Sequence, residues 1–314
     1  MSDDGVLLVL NSGEAAYREY CLAQAAAAQP LALINPTAPT WQTPYIADHE
    51  VADTLNPRAL RAAAAALARR HRIAGVMTWD EYALVPAANL AADLGLPGNS
   101  SATAVACRNK AASKAVFAAA DIPSATSTRV TSLRRAAAAA RRIGYPVVLK
   151  PAAHAGSIGV IKVDSADALP AAWHYTAHAA TEQGREGTGV LVEEYLAGPE
   201  ISVECVTARG TTTPVAVTRK ALGPEPFFEE VGHIVIAGDP LLAQAGPVAV
   251  AALDALGVAN GISHVEMRLT DTGPRLIEVN ARIGGDLIGH LVHQATGIDL
   301  PRAAADIACN RTPD

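Results

Sequence analysis

The four cysteines, Cys21, Cys107, Cys205 and Cys309, form no CxxC pair, which excludes a local zinc cluster and argues against a disulfide scaffold. Positive charge is also scarce. The formal net charge is -6, so no basic stripe favours nucleic acid as a partner. Long apolar runs are missing too. The most apolar later segment, Ala245 to Ala259, is interrupted by Asp254 and is too short to span a bilayer. The amino terminus, MSDDGVLLVL, is acidic where a signal peptide is basic, so the expected setting is cytoplasmic with no membrane partner. The first loop, Asn11-Ser12-Gly13-Glu14, lacks the GxGxxG of a dinucleotide site. Aromatic residues are only 4% of the chain, and much of its hydrophobic half is alanine. The runs Ala62–Ala66 and Ala136–Ala140 read as helix-forming filler, not repeats. Lysine is the most informative scarcity. Of 25 basic side chains only Lys110, Lys114, Lys150, Lys162 and Lys220 are lysines, so each is weighted toward a role that needs a compact point charge.

The 314 residues suffice for two or three domains. Apolar strands at 6–10, 31–35 and 74–79 alternate with helical stretches to about Ala28, from Pro57 to Arg70 and from Glu81 to Leu94. That alternation predicts an α/β layer with a parallel sheet. The break Leu96-Pro97-Gly98-Asn99-Ser100 marks the first domain boundary. Beyond it, Ser101 or Thr103 is the expected cap of a helix carrying Lys110 and Lys114, a pair whose spacing alone reads as a solvated face. A helix at Arg134–Ile143 precedes a buried strand ending in Lys150. From Val190 onward the pattern changes to strands at 190–196, 200–206, 214–221 and 227–237, then a helix at Leu241–Leu256. This is an α+β layer.

The stretch Gly261–His290 is the most chemically pointed. It reads as a β-hairpin with the turn cluster Asp271-Thr272-Gly273-Pro274. Folding it about Thr272 sets Glu266 opposite Glu278. Facing carboxylates repel, and a hard divalent cation between them resolves the conflict, since Mg²⁺ takes oxygen ligands and shares them with phosphates. Strand period two adds Asn280 to the same face, and Arg282 beyond it supplies a phosphate clamp. Earlier in the chain, Lys150 precedes the small-residue loop Ala152–Gly159, whose backbone N–H groups can close over phosphates. It is not a Walker A loop, because the lysine precedes it.

Five segments in order, Asn109-Lys110, YPVVLKP with its loop, VEEYLAGPEISVE, VEMRL and IEVNARIGGD, together resemble the ATP-grasp superfamily of carboxylate–amine ligases over roughly residues 95–300. The resemblance implies an N-terminal α/β domain (1–98), a subdomain with a phosphate lid (99–189) and an antiparallel-sheet subdomain with the metal site (190–314). It also implies a further C-terminal subdomain after the helix near Ile298–Ala308; with the sequence ending at Asp314, the expectation is either a compact form or a missing C-terminal piece. On this reading Lys110 and Lys150 contact the phosphates of ATP, with the lid at Ala153–Gly159, including Gly156 and Ser157. The strand end supplies the adenine hinge through Glu193 or Glu194 with backbone groups of Tyr195 and Leu196, and Glu200 accepts from the ribose. Glu266, Glu278 and Asn280 hold Mg²⁺, as two ions, or Mn²⁺. Arg282 stabilises the transferring phosphoryl group.

The ending Asn280–Asp286 and the segment Phe228–His233 resemble the amino-acid ligase group. There Glu230 and the catalytic candidate His233 face the substrate pocket, with Lys220 or Arg219 assisting. Biotin carboxylases differ in carrying a glycine-run lid and a Gln-Val-Glu-His stretch where this chain has Gly285-Asp286-Leu287. The expected partners are small carboxylate and amine substrates, with a homodimer through the N-terminal domain as a further expectation. The competing readings are carboxylation, a purine-pathway amide synthesis, or a non-catalytic nucleotide-binding module. Glu204 reads as a surface residue, and His290 and His293 as packing or pocket edge.

Overall fold

The computed structural model describes residues 5–154, 156–182 and 189–313. Three sheets organise them. In the first, β1 (Val6–Leu10), β2 (Leu31–Asn35), β3 (Asp48–Val51) and β4 (Ile73–Met77) run parallel in the order β3-β2-β1-β4. Continuous apolar strands such as VLLVL are what a sheet covered on both faces requires. Leu7 and Val9 pack on the side of α1 (Ala15–Ala28), while Leu8 and Leu10 pack on the side of α2 (Pro57–Ala68) and α3 (Leu84–Asp93). Asn56 caps α2 by accepting from the N–H groups of Arg58 and Ala59. Sequence periodicity misses β3, because Asp-His-Glu-Val is polar and half exposed.

The linker after α3 carries two short helices, α4 (Ser101–Arg108) and α5 (Lys110–Ala119). Their caps are Ser100 and Asn109, not Ser101 or Thr103. Asn109 adopts an extended conformation between them and accepts from the N–H groups of Ala111 and Ala112. Lys110 and Lys114 share one face of α5, but that face is buried rather than solvated.

The second sheet has the order β5-β8-β6-β7, built from β5 (Ser127–Val130), β6 (Val147–Pro151), β7 (Ile161–Val163) and β8 (Val190–Glu194), all antiparallel. Helices α6 (Leu133–Ile143) and α7 (Leu169–Glu182) cover its apolar face, where Val147, Leu149 and Val192 pack with Ala136 and Ala140. The strand at 190–194 belongs here. It does not form a hairpin with the following strand across Gly198-Pro199, as its neighbourhood in sequence suggests.

The third sheet is antiparallel, ordered β11-β10-β9-β12-β13, from β9 (Glu200–Ala208), β10 (Thr211–Leu222), β11 (Glu230–Val235), β12 (Gly261–Thr270) and β13 (Gly273–Asn280). Its odd-numbered face, with Ile201, Val203, Val217, Val265, Met267 and Val279, packs on α8 (Leu241–Leu256) and Phe117 of α5. The opposite face is polar and forms one wall of a cleft against the second sheet. The last helices, α9 (Ile288–Thr296) and α10 (Leu300–Ala308), return to the first sheet, where Leu300, Ala305 and Val292 join Leu7, Leu22 and Ile262 in a shared core. His290 stacks edge-on to Tyr20, 5.7 Å between centroids, and His293 Nδ1 lies 2.9 Å from Gln24 Nε2, so both are packing residues against α1. No described helix is long and apolar enough to cross a membrane.

Candidate active site

The hairpin of β12 and β13 sets the geometry. Its turn is tighter than the sequence suggests: Thr270 pairs with Gly273, and the ladder runs through Arg268–Arg275 and Met267–Leu276. Continued without interruption, that register places Glu278 opposite Val265, on the apolar side. Instead Ile277 is left out of the pairing as a bulge, and Glu266 pairs with Glu278 and His264 with Asn280. Leu276 and Val279 stay in the core, while Ile277 and Glu278, consecutive in sequence, both line the cleft.

Pairing across the sheet arranges the polar face in rows. Thr218, Ser202, Glu266 and Glu278 form one row, Glu204, His264 and Asn280 the next. Lys220 pairs with His233 on one flank, and Glu200 pairs with Arg268 further along. Lys220 has a fully buried side chain, and its ammonium lies 2.9 Å from Glu230, 3.3 Å from Glu266 and 3.5 Å from Glu200. Burial works against its charge, but the carboxylates of Glu266, Glu200 and Glu230 outweigh burial and raise its pKa. The convergence of those three carboxylates is therefore already balanced by a cation of the chain itself. Glu266 is largely covered, which works against its charge, yet Lys220 and His264 hold its carboxyl well below the usual range. His264 bridges two acids, with Nδ1 2.8 Å from Glu204 and Nε2 3.3 Å from Glu266. Burial disfavours its charge, but Glu204 more than offsets this and raises it to about 9.

The facing wall carries the lysines. Lys150, at the end of β6, reaches Glu193 of β8 at 2.8 Å, while Lys114 lies 4.0 Å from the same carboxylate and donates to the Leu276 carbonyl at 3.0 Å. The two ammonium groups compete for one acid. Lys150 holds it, and Glu193 and Glu278 raise its pKa against the effect of burial. For Lys114, burial prevails and lowers it to about 8. Lys110, at the first turn of α5, contacts Glu278 at 3.1 Å and donates to the His154 carbonyl. Arg282 is mostly covered, with its Nε donating to Glu81 at 2.6 Å. Glu81 lies in a 3₁₀ turn, Glu81–Ala83, capped by Asp80, so the N-terminal sheet fixes this guanidinium from behind.

These walls flank an open cleft whose empty space, solvent at its mouth included, is about 890 Å³. Lys110, Lys150, Gly156, Ser157, Glu193, Glu194, Tyr195, Leu196, Glu200, Glu266, Glu278, Asn280 and Arg282 all line it. His233 stands behind this lining, with Nε2 2.6 Å from Glu230 Oε2 and Nδ1 3.8 Å from Asp286. Within the loop read as a lid, Ala155 lies outside the described residues, and Gly156 and Ser157 take positive φ values of 68° and 54°. Glu193 and Glu194 both point their carboxylates at basic side chains. Glu194 forms a two-pronged pair with Arg275 at 2.6 and 2.8 Å.

Three sequence expectations are corrected here. Glu204 is fully buried, not a surface residue. Arg219 pairs with Asp239 at 2.7 Å and leaves Lys220 alone at the site. The lysine pair on α5 is buried and not a solvated face, and Lys110 lines the cleft. Sequence reading also passes over His264, Arg268 and Glu81. The signal for the first two was present in the alternation of β12, which puts His264, Glu266 and Arg268 on one face; Glu81 carries no such signal.

The donor set fits a hard cation: two carboxylates and a side-chain amide on one strand pair, with Glu266 ionised. The chain matches a model of the ATP-grasp domain over residues 143–290 and one of the ATP-grasp N-terminal domain over residues 38–98. It is 31% identical over 248 residues to the uncharacterized protein y4rH of Sinorhizobium fredii, covering 79% of this chain and 51% of that protein. It is 28% identical over 256 residues to alanine–anticapsin ligase of Bacillus subtilis, covering 74% and 53% respectively. The chain thus spans about half the length of these relatives. Its fold superposes on that of an L-amino acid ligase from Bacillus licheniformis with a TM-score of 0.81 at 23% identity, over 97% of this chain and 74% of that one. Both family models fall on segments that build the cleft and its rear support, and the chain belongs to the ATP-grasp superfamily.

Proposed function

We propose that this chain is an ATP-dependent carboxylate–amine ligase that forms an amide bond through an acyl phosphate, with an amino acid as the carboxylate substrate. One observation carries the reading: the opposed Glu266 and Glu278, with Asn280, share a single cleft with Lys110, Lys150 and Arg282. Simple adenine binding has no use for that set. Phosphoryl transfer needs positioning and charge neutralisation rather than covalent help from the protein. The backbone of Tyr195 and Leu196 would seat the adenine, Glu200 the ribose, and Lys110 and Lys150 the phosphates. Glu266, Glu278 and Asn280 would hold Mg²⁺, which when bound neutralises the phosphate oxygens.

In the first half-reaction a carboxylate oxygen of the substrate forms a bond to the γ-phosphorus as the bond to ADP breaks. Arg282, held by Glu81, would balance the charge on the transferring group. In the second, the amine nitrogen attacks the acyl carbon, phosphate leaves, and the nitrogen loses a proton. His233, which stands behind the lining and is paired with Glu230 of the cleft, would take that proton. Closure of the loop at Ala153–Gly159 would keep water from the acyl phosphate. Resemblance to alanine–anticapsin ligase and to the B. licheniformis enzyme supports an amino-acid substrate.

The test is product analysis from Mg-ATP with pooled amino acids, using Glu278→Ala as control. Amino-acid-dependent ADP and phosphate, with a new amide mass absent from the variant, is the expected result. AMP and pyrophosphate would mean adenylation and overturn the proposal.

A further inference from the structure

We propose that Glu204 and His264 form a buried positioning pair that aims Glu266 at the cation of the cleft. The inference rests on the nucleotide–metal reading above and adds residues that the reading does not use. Glu204 lies on β9 with no exposed surface, where an unpaired carboxylate is very costly. Its oxygens are occupied by the Ser202 hydroxyl at 2.7 Å, the Thr218 hydroxyl at 3.2 Å and His264 Nδ1 at 2.8 and 3.0 Å. The carboxylate therefore has fixed partners on β9, β10 and β12 and is locked in place.

His264 is locked in turn. It is 3% exposed, and Gly284 passes so close that a Cβ there would sit 3.0 Å from Nδ1. The glycine after Arg282 and Ile283 thus leaves room for the ring, which explains one half of the Gly284-Gly285 pair. With Nδ1 committed to Glu204, the opposite edge of the ring presents Nε2 to Glu266 Oε1 at 3.3 Å. Both neighbours are acceptors when ionised, so the ring donates from both nitrogens. Lys220 approaches the other oxygen, Oε2, at 3.3 Å, and the Asn280 amide donates to Oε1 at 3.3 Å. Glu266 is held at both oxygens from within the sheet while it lines the cleft.

A stability role alone explains this poorly. Buried ion pairs add little net stability over packed apolar residues, and apolar side chains fill the reverse face of these same strands. What the pair supplies is direction. Partners behind a metal-ligating side chain fix its orientation, and their loss typically costs about 10- to 100-fold in metal affinity.

The experiment is calorimetric titration of the full chain with ADP across a series of Mg²⁺ concentrations, for wild type, His264→Gln and Glu204→Gln. The expected result is metal-free ADP affinity within about twofold of wild type in both variants, with the half-saturating Mg²⁺ concentration raised about 10- to 100-fold. Should His264→Gln fail to fold, as judged by circular dichroism, the isosteric Glu204→Gln decides. Unchanged Mg²⁺ dependence in the folded variants overturns the pairing while leaving the metal reading intact. An equal loss of metal-free and metal-dependent affinity also overturns it, since that marks a general structural role. A wild-type protein whose ADP affinity ignores Mg²⁺ overturns the metal reading and this inference with it.

Discussion

Glu266 and Glu278 oppose one another across the hairpin because Ile277 stands out of the ladder between Glu278 and the turn. The turn closes one residue earlier than folding about Thr272 implies, and the bulge restores the register. Two local irregularities cancel, and Glu278 keeps its place opposite Glu266.

Deleting Ile277 should therefore leave the two glutamates opposed, since the strand becomes a regular one with the same pairing beyond it. The variant is expected to keep Mg²⁺-dependent ADP binding, weakened by about 1–2 kcal/mol for the lost apolar wall. Glu278→Ala, with the bulge intact, should lose the metal dependence. Calorimetry on both variants checks this, and a deletion that behaves like Glu278→Ala would refute the register argument.

Lys220 is the counter-charge for Glu200, Glu230 and Glu266. Lys220→Met leaves those acids buried without it and should destabilise the fold by about 3–5 kcal/mol at neutral pH. The sign of the pH effect follows. Without the ammonium the folded-state carboxylate pKa values rise, so the variant takes up protons on folding and its stability deficit shrinks as pH falls from 8 to 5. Urea unfolding across that range gives the measurement.

Lys114 titrates in the opposite sense to an ion-paired lysine. Its folded pKa is lowered by burial from 10.5 to about 8. The folded state therefore carries a penalty that is fully present below about 8 and disappears as pH rises toward 10.5. Over that window the unfolded chain holds a proton that the folded chain has released, so stability rises with pH. Comparison with Lys114→Met should show the wild type gaining up to about 3 kcal/mol on the variant between pH 7.5 and 10.5. A flat difference would argue against the assignment.

Glu81 acts through Arg282. Glu81→Gln removes the charged anchor at 2.6 Å and should lower kcat about 10- to 100-fold, with KM for ATP nearly unchanged, because a displaced transition-state group slows chemistry more than binding. Steady-state kinetics decide it, and a rise in KM alone would contradict this role.

Much of this was legible in the residues themselves. Period two in β12 and β13 put Glu266, Glu278 and Asn280 on one face, and the order of motifs along the chain singled out Lys110, Lys150 and the strand end that line the same cleft. The helix Leu241–Leu256 was readable to the residue. Turn detail was not: two residues or three in the loop differ by little in local preference, and the cost is set by where Val265 and Val279 must pack. Likewise Asn109 looks like any polar residue in a helical stretch until the close approach of Ala152 to Lys110 requires a break there.

What the sequence by itself determined is the set of chemical groups and the face each occupies on its own element, because strand and helix periods are local properties of the backbone. What only the tertiary structure decided is which charge answers which. Glu204 reads as a surface charge until the sheet buries it, and the three carboxylates that meet Lys220 are not adjacent in sequence. Glu81, two hundred and one residues from Arg282, becomes its anchor only when α10 docks on the first sheet and brings both ends of the chain together. Pairing between buried charges is decided by burial and distance, and neither exists until the elements have packed.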